Sequence, residues 1–557
     1  LSALGRGEEA LASLDAALAL RPGDAQSWYN RGNTLRALAR HEEALAAYDR
    51  ALAIRPGDAR TLNNKGVAWN ALGRFDTALA VYELGLTLHP EDGELWFNRG
   101  VALQLLKRHD AALASHDRAL ALDPAHDGAF REAAVCAMYL CEWPRMAEIR
   151  RLWPSRPAAM QPWTLIGYGG DPRAQLECAR RAARVLPRGP ALWSGERYRH
   201  DRIRIAYLSA DFRNHPVAVQ LAQHLEQHDR SRFEIVGVSS GADDGSAVRT
   251  RVAAAMDTFH DVRGVPPRRV AERLRALEID IALDLDGHTE GNALAVLAHR
   301  PAPLQVSWLG YPGTTGADFI DHVLADAIAA PPSHQPFYSE TLLHLPAGFF
   351  PLDTTRAIGA APGRAEAGLP ATGFVFCCFN NNWKIAPSVF DIWMRLLAQV
   401  PGSVLWLRQG AEQTLRREAA ARGIAPERLV FAAPEPDSGR HLARQTLADL
   451  FLDTLPYNAH ATAADALWAG LPVITQLGDA FAGRVAASLV TAAGLPELVT
   501  HSAENYEALA LALARDPVRL KDLRDRLAAN HATAPLFDTA RLTRDIETAF
   551  AAMLEKA

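Results

Sequence analysis

Cysteine is scarce: there are five in 557 residues. Cys136, Cys141 and Cys178 are scattered, and Cys377 and Cys378 stand side by side in an apolar run. An odd, irregular set of this kind argues against a disulfide-stapled framework and against a cysteine-built zinc site, and it favours reduced thiols in the cytoplasm. An excess of either charge is also lacking. Fifty-nine basic residues face 64 acidic ones, a formal charge of -5, which argues against a chain whose task is to wrap nucleic acid. No unbroken apolar stretch approaches the roughly 18 residues that cross a bilayer, so no membrane partner is expected. The opening residues do not run basic, apolar, small as a secretory signal does. What is present is ordinary folded composition, 49% hydrophobic and 22% charged, at a length that suggests roughly three to four domains.

The first quarter is periodic. Pro22, Pro56, Pro90 and Pro124 recur every 34 residues. In step with them run Trp28, Leu62, Trp96 and Phe130; Gly32, Gly66, Gly100 and Ala134; Ala44, Ala78 and Ala112; and Ala51, Gly85 and Ala119. Small residues let two antiparallel helices touch, large ones fill the gap, and proline closes the turn to the next unit. The 34-residue unit resembles the tetratricopeptide repeat and implies an α-solenoid over residues 1–140. Leu1 falls inside the second helix of a unit, as in a truncated array. Asn30, Asn64 and Asn98 share one column, which Glu132 ends. Such amides either pair with the backbone of an extended peptide or bond within the helix packing.

Residues 141–200 read as a connector, with Trp143-Pro144, Trp153-Pro154 and Arg156-Pro157 breaking any long helix. Beyond it the pattern changes to short apolar runs alternating with helical stretches. Strands are expected at Ile203–Ser209, Phe233–Ser239, Ile279–Leu285 and Leu304–Trp308, in a first lobe over 201–370. A second set, at Phe374–Phe379, Val404–Leu407, Leu429–Ala432, Leu450–Asp453 and Val473–Thr475, opens a lobe over 371–557 that includes terminal helices. This βαβα rhythm predicts two doubly wound Rossmann-like lobes, with ligands outside the carboxyl ends of the strands.

Several residues could carry chemistry there. A helix beginning near Thr462 would offer free amides and a positive dipole to a phosphate; Thr462 could add a hydroxyl and Asp465, on the first turn, could accept from a ribose. Both could instead be caps. His215, in the loop after the first strand, could take a proton from an attacking hydroxyl, or be a surface residue. Lys384 could stabilise charge on a departing diphosphate, or be a solvated lysine. Gly310, Pro312 and Gly313 could form a tight sugar-side wall or a structural turn, and His288, Thr289 and Gly291 form another candidate loop. Asp284-Leu-Asp286 has the form that holds a divalent metal in some transferases, but it ends an apolar strand, and no metal is expected.

Ser209-Ala-Asp-Phe-Arg-Asn-His-Pro216, Arg300-Pro-Ala-Pro-Leu-Gln-Val-Ser-Trp-Leu-Gly-Tyr-Pro-Gly-Thr-Thr-Gly316, Phe379-Asn-Asn-Asn-Trp-Lys-Ile385 and Arg484-Val-Ala-Ala-Ser488 resemble the protein O-linked N-acetylglucosamine transferase family and its SPINDLY-type plant relatives. The resemblance spans nearly all of residues 200 to 550, and the preceding repeats complete the same domain order. The alanine- and arginine-rich composition and the absence of a long insertion between the lobes point to a bacterial member. The resemblance implies a GT-B fold and an inverting, metal-independent transferase that moves N-acetylglucosamine from UDP-GlcNAc to serine or threonine hydroxyls of proteins, with no cofactor. It implies His215 and Lys384 as catalytic. It implies donor contacts from Asn381, His441, Arg444, His460, Thr462 and Asp465, with Gly310, Pro312, Gly313, His288 and Thr289 on the sugar side. Extended peptides would lie along Asn30, Asn64 and Asn98. Asn381 stands where animal members have glutamine and Ala461 where they have threonine. Two alternatives stay open: a SPINDLY-like protein O-fucosyltransferase using GDP-fucose, and a catalytically silent interaction scaffold.

Overall fold

The computed structural model describes residues 6–555. It divides into two compact units, residues 1–159 and 160–557.

The first unit is an antiparallel helical array: Gly7–Leu20, Ala25–Ala37, His41–Ile54, Ala59–Ala71, Phe75–Leu88, Gly93–Leu105, His109–Leu122, Asp127–Tyr139 and Trp143–Leu152. Every second helix opens on a side-chain cap in one column. Asp24, Asp58, Asp92 and His126 accept from the amides of Gln26, Thr61, Leu95 and Ala129, which satisfies donors the helix leaves free. Tyr48, Tyr82 and His116 are fully buried over Gly32, Gly66 and Gly100. A Cβ on Gly66 would lie 2.4 Å from the Tyr82 ring, so the glycine column is required by close packing. The array extends past the expected limit at 140. Pro144 does not break a helix; it sits in the first turn of Trp143–Leu152, where its missing amide costs nothing.

The second unit holds two parallel sheets. The first contains β1 Ile203–Ser209, β2 Phe233–Ser239, β3 Thr258–Asp261, β4 Ile281–Asp284, β5 Leu304–Ser307, β6 His322–Ala325 and β7 Thr341–His344, in the order β3-β2-β1-β4-β5-β6-β7. The second contains β8 Val375–Cys378, β9 Val404–Arg408, β10 Leu429–Ala432, β11 Leu450–Leu452, β12 Val473–Gln476 and β13 Val499–Thr500, in the order β10-β9-β8-β11-β12-β13. Strand order reverses between β1 and β4 and again between β8 and β11, and crevices open at such switch points.

Two expected boundaries move. The connector residues fold into helices Pro162–Tyr168 and Pro172–Arg184, and Ala183 joins the core under β1 and β2 with Ala206, Leu208 and Val236. The last helix does not stay with the second lobe alone. Helix Thr539–Leu554 packs on helix Pro216–Glu226 of the first lobe, where His224 Nδ1 meets Thr543 Oγ1 at 2.9 Å and His228 Nδ1 meets Glu547 Oε1 at 2.8 Å. Tyr207 Oη lies 2.9 and 2.8 Å from the Nε2 atoms of the same two histidines, so the junction is polar, buried and partnered.

Candidate active site

At the first switch point, the chain leaving β1 passes through Asp211 to His215, the N-cap of helix Pro216–Glu226. His215 Nδ1 is 3.2 Å from Asp211 Oδ2 and 3.4 Å from the Val217 amide. Burial pushes its pKa below the usual value, against the opposing pull of Asp211, so the ring is neutral near pH 7. Nδ1 accepts from the Val217 amide in one tautomer and donates to Asp211 in the other; the second leaves a lone pair on Nε2, the arrangement a general base needs.

The neighbouring loop is built from buried polar groups. Asp286 accepts from Ser209 Oγ at 2.7 Å and the Ala210 amide at 2.8 Å. Asp284 accepts from the amides of Asp286 and Gly287 and from Ser307 Oγ. The Asp284-Leu-Asp286 oxygens therefore brace backbone. His288 Nε2 is 2.7 Å from the Thr315 carbonyl and Thr289 Oγ1 donates to the Asp286 carbonyl at 2.9 Å; burial pushes the His288 pKa down to about 4. A Cβ on Gly310 would stand 2.1 Å from the Leu285 carbonyl oxygen, so this glycine is needed for a close backbone crossing. Pro312 follows it, and Gly313 lines a small hollow with Thr314, Tyr338 and Phe481.

At the second switch point, Lys384 ends a short 3-10 turn after β8. Its Nζ donates to the Asn458 carbonyl at 2.9 Å and lies 4.1 Å from the Tyr457 ring centroid. Desolvation pushes its pKa down to about 7, partly offset by Asp453. Asp453, fully enclosed, is pushed up by the same cause while accepting from Thr475 Oγ1 and the Ala459 and Thr454 amides. A half-buried amine that titrates near 7, beside a carboxylate that resists ionising, is a site whose cationic form an incoming anion favours.

Helix Ala461–Trp468 starts beside it with His460 as N-cap. His460 supplies no side-chain cap. Its ring stacks on Tyr457 at 4.8 Å and sits 3.2 Å from the Ala482 carbonyl, and burial holds it neutral. Thr462 does not cap the helix either, because its hydroxyl donates to Asn380 Oδ1. Asp465 lies at the fifth helical position, on the second turn and not the first. Its Oδ1 is bound by Arg356 Nη2 at 2.8 Å and Gln220 Nε2 at 3.0 Å, and its Oδ2 is 3.7 Å from His441 Nε2. His441 and Arg444 share a face, with Arg444 Nη2 2.8 Å from His441 Nδ1, and Asn381 accepts from Arg408. Sequence reasoning missed Asp211, Asn380, Arg408 and Asp453. Asp453 was legible as the polar residue closing an apolar strand, and Asp211 as the carboxylate four residues before His215; the partners of Asn380 and Arg408 are remote in sequence.

In the repeat unit, Asn64 Nδ2 donates to Asn33 Oδ1 at 2.8 Å and Tyr29 Oη at 3.1 Å, and Asn98 Nδ2 donates to Asn63 Oδ1 at 2.9 Å. Asn30 is exposed and accepts from Gln26. Two of the three amides thus spend donors on the preceding repeat.

The family described as Glycosyl transferase family 41 matches residues 176–360 and 357–546, and the Tetratricopeptide repeat family matches 25–58 and 93–126. A protein of Arabidopsis thaliana named "Probable UDP-N-acetylglucosamine--peptide N-acetylglucosaminyltransferase SEC" is 34% identical over 414 residues, 70% of this chain and 42% of the relative. A UDP-N-acetylglucosamine--peptide N-acetylglucosaminyltransferase of Caenorhabditis elegans is 29% identical over 465 residues, covering 62% and 40%. The chain therefore spans less than half the length of either relative. A solved structure of a mutant O-GlcNAc transferase from Thermobaculum terrenum matches with a TM-score of 0.69 and 29% identity, covering 99% of this chain and 98% of that one.

Proposed function

The chain belongs to glycosyl transferase family 41, and from that premise we propose that it transfers N-acetylglucosamine from UDP-GlcNAc to serine or threonine hydroxyls of proteins, with inversion and without a metal. The observation that carries this reading is Lys384, held half-buried between Tyr457, Asn458 and Asp453 next to the amino end of helix Ala461–Trp468. A diphosphate there meets an ammonium and free backbone amides, both aimed where leaving-group charge develops.

His215 and Lys384 come from opposite lobes. The acceptor oxygen attacks the anomeric carbon while the bond from that carbon to the diphosphate oxygen breaks; the electron pair leaves with the diphosphate and the hydroxyl proton passes to His215 Nε2. A single displacement of this kind inverts the carbon. Metal independence is supported by the cationic groups already at the leaving-group side and by the backbone duties of Asp284 and Asp286.

Calorimetry with uridine and guanosine diphosphates in chelator tests the reading, together with mass spectrometry of a serine-containing peptide incubated with UDP-GlcNAc. Uridine diphosphate binding and a hexosamine adduct on the peptide are expected. Binding of the guanosine nucleotide alone would move the donor to GDP-fucose, and binding of neither would leave the reading without support.

A further inference from the structure

One contact in the second unit crosses from lobe to lobe at the centre of the site. Gln220 lies in helix Pro216–Glu226, one turn beyond the N-cap His215, and is 1% exposed. Its Nε2 donates to Asp465 Oδ1 at 3.0 Å, and its Oε1 is 3.5 Å from Arg356 Nη2. Arg356 binds the same Asp465 oxygen at 2.8 Å with its side chain 9% exposed. The arginine is itself fixed: its Nε donates to the Asp353 carbonyl at 3.2 Å, and its own carbonyl accepts from Trp468 Nε1 at 3.1 Å. Gln223, a turn further along the first-lobe helix, accepts from the Thr354 amide at 2.8 Å, so the segment carrying Arg356 is stitched to the helix that carries Gln220.

We infer that Arg356 and Gln220 are positioning residues that aim Asp465 at the nucleotide. They saturate Oδ1 and stop the carboxylate from rotating, which leaves Oδ2 as the oxygen available to a ribose hydroxyl beside His441. A free Asp on a helix samples several rotamers, and holding one of them in advance removes that ordering cost from the binding step. The bridge has a second consequence. The residue that receives the nucleotide is tied to the helix that His215 caps, so donor and acceptor sides are set by one buried contact. This inference rests on the proposed nucleotide-sugar reading of the site.

The test is a double-mutant cycle read by calorimetry of uridine diphosphate on the full chain. Arg356→Met is expected to weaken binding roughly tenfold, the scale of one charge-assisted hydrogen bond. Gln220→Leu should weaken it about threefold, and Arg356→Lys should recover most of the loss, because it keeps the charge. In an Asp465→Asn background, Arg356→Met should change affinity by less than about twofold, since a residue acting through Asp465 has nothing left to act on. Equal losses in both backgrounds, or unchanged affinity in Arg356→Met alone, would overturn the inference while leaving the nucleotide reading intact. A parent chain that binds no nucleotide would overturn both. A variant that merely unfolds shows a lowered melting temperature and a reduced number of binding sites, not a weaker Kd at full stoichiometry, and that pattern also counts against a positioning role.

Discussion

At the residue scale, the decisive property of the site is the cost of keeping charge out of water. Lys384 is driven down to about 7 by desolvation, so at pH 8 its amine is mostly neutral, and pairing it as an ammonium with a diphosphate draws a proton from solution. Binding of uridine diphosphate is therefore expected to take up close to one proton at pH 8 and much less at pH 6. Calorimetry in buffers of different ionisation enthalpy reads this directly. Affinity should fall as pH rises through 7, and Lys384→Met should abolish both the uptake and the pH slope. Proton release, or a slope that survives in Lys384→Met, would assign the titration to another group. Lysine at the start of a lobe was readable as a candidate because its motif is local. Its depressed pKa was not, because the groups that enclose it, Tyr457, Asn458 and Asp453, come from a loop some seventy residues downstream.

At the element scale, the repeat helices show how one column position is filled by different chemistry. Tyr48 and Tyr82 fill it in two repeats, and His116 fills it in the next, with Nε2 2.7 Å from Gln104 Oε1 and its pKa pushed down to about 3 by burial. The folded array keeps this ring neutral, whereas an unfolded histidine protonates near 6.5. The stability it contributes is thus complete above 6.5 and lost progressively as pH falls toward 3, at about 1.4 kcal/mol per pH unit. Hydrogen exchange in helices Gly93–Leu105 and His109–Leu122 is expected to lose protection between pH 6.5 and 5. His116→Tyr, which restores the column residue over Gly100, should flatten that dependence. An unchanged slope in the variant would show that acid acts elsewhere. The repeat units were legible because each repeat packs on the adjacent repeats, so their signals recur at one period. Strands β3, β6 and β7 were not, since histidine and other polar residues at their ends leave apolar runs too short to separate from loop.

At the scale of the whole molecule, the last helix packs on a lobe that begins more than 300 residues earlier. Leu542, Ile546 and Phe550 are buried, and Thr543 and Glu547 partner His224 and His228. Ile546→Ala should cost about 2–5 kcal/mol, and the loss should appear as reduced exchange protection in helix Pro216–Glu226 as well as in Thr539–Leu554. Loss confined to the terminal helix would show that it docks without supporting the lobe. No helix among the described residues is long and apolar enough to cross a membrane, and all five cysteines are buried thiols.

The sequence by itself determined the solenoid, the two parallel α/β lobes and the positions of the site motifs. Helical and strand periodicity, capping residues and turn glycines are local properties, written within one period or one motif. Tertiary structure alone decided which charges are solvated and which carboxylate oxygens are already engaged. Arg356 and Gln220 meet Asp465 across 109 and 245 residues of chain, Asn380 meets Thr462 across 82, and Lys384 loses its water only when a distant loop closes over it. Desolvation and long-range pairing depend on what surrounds a group in space, and no local pattern encodes that.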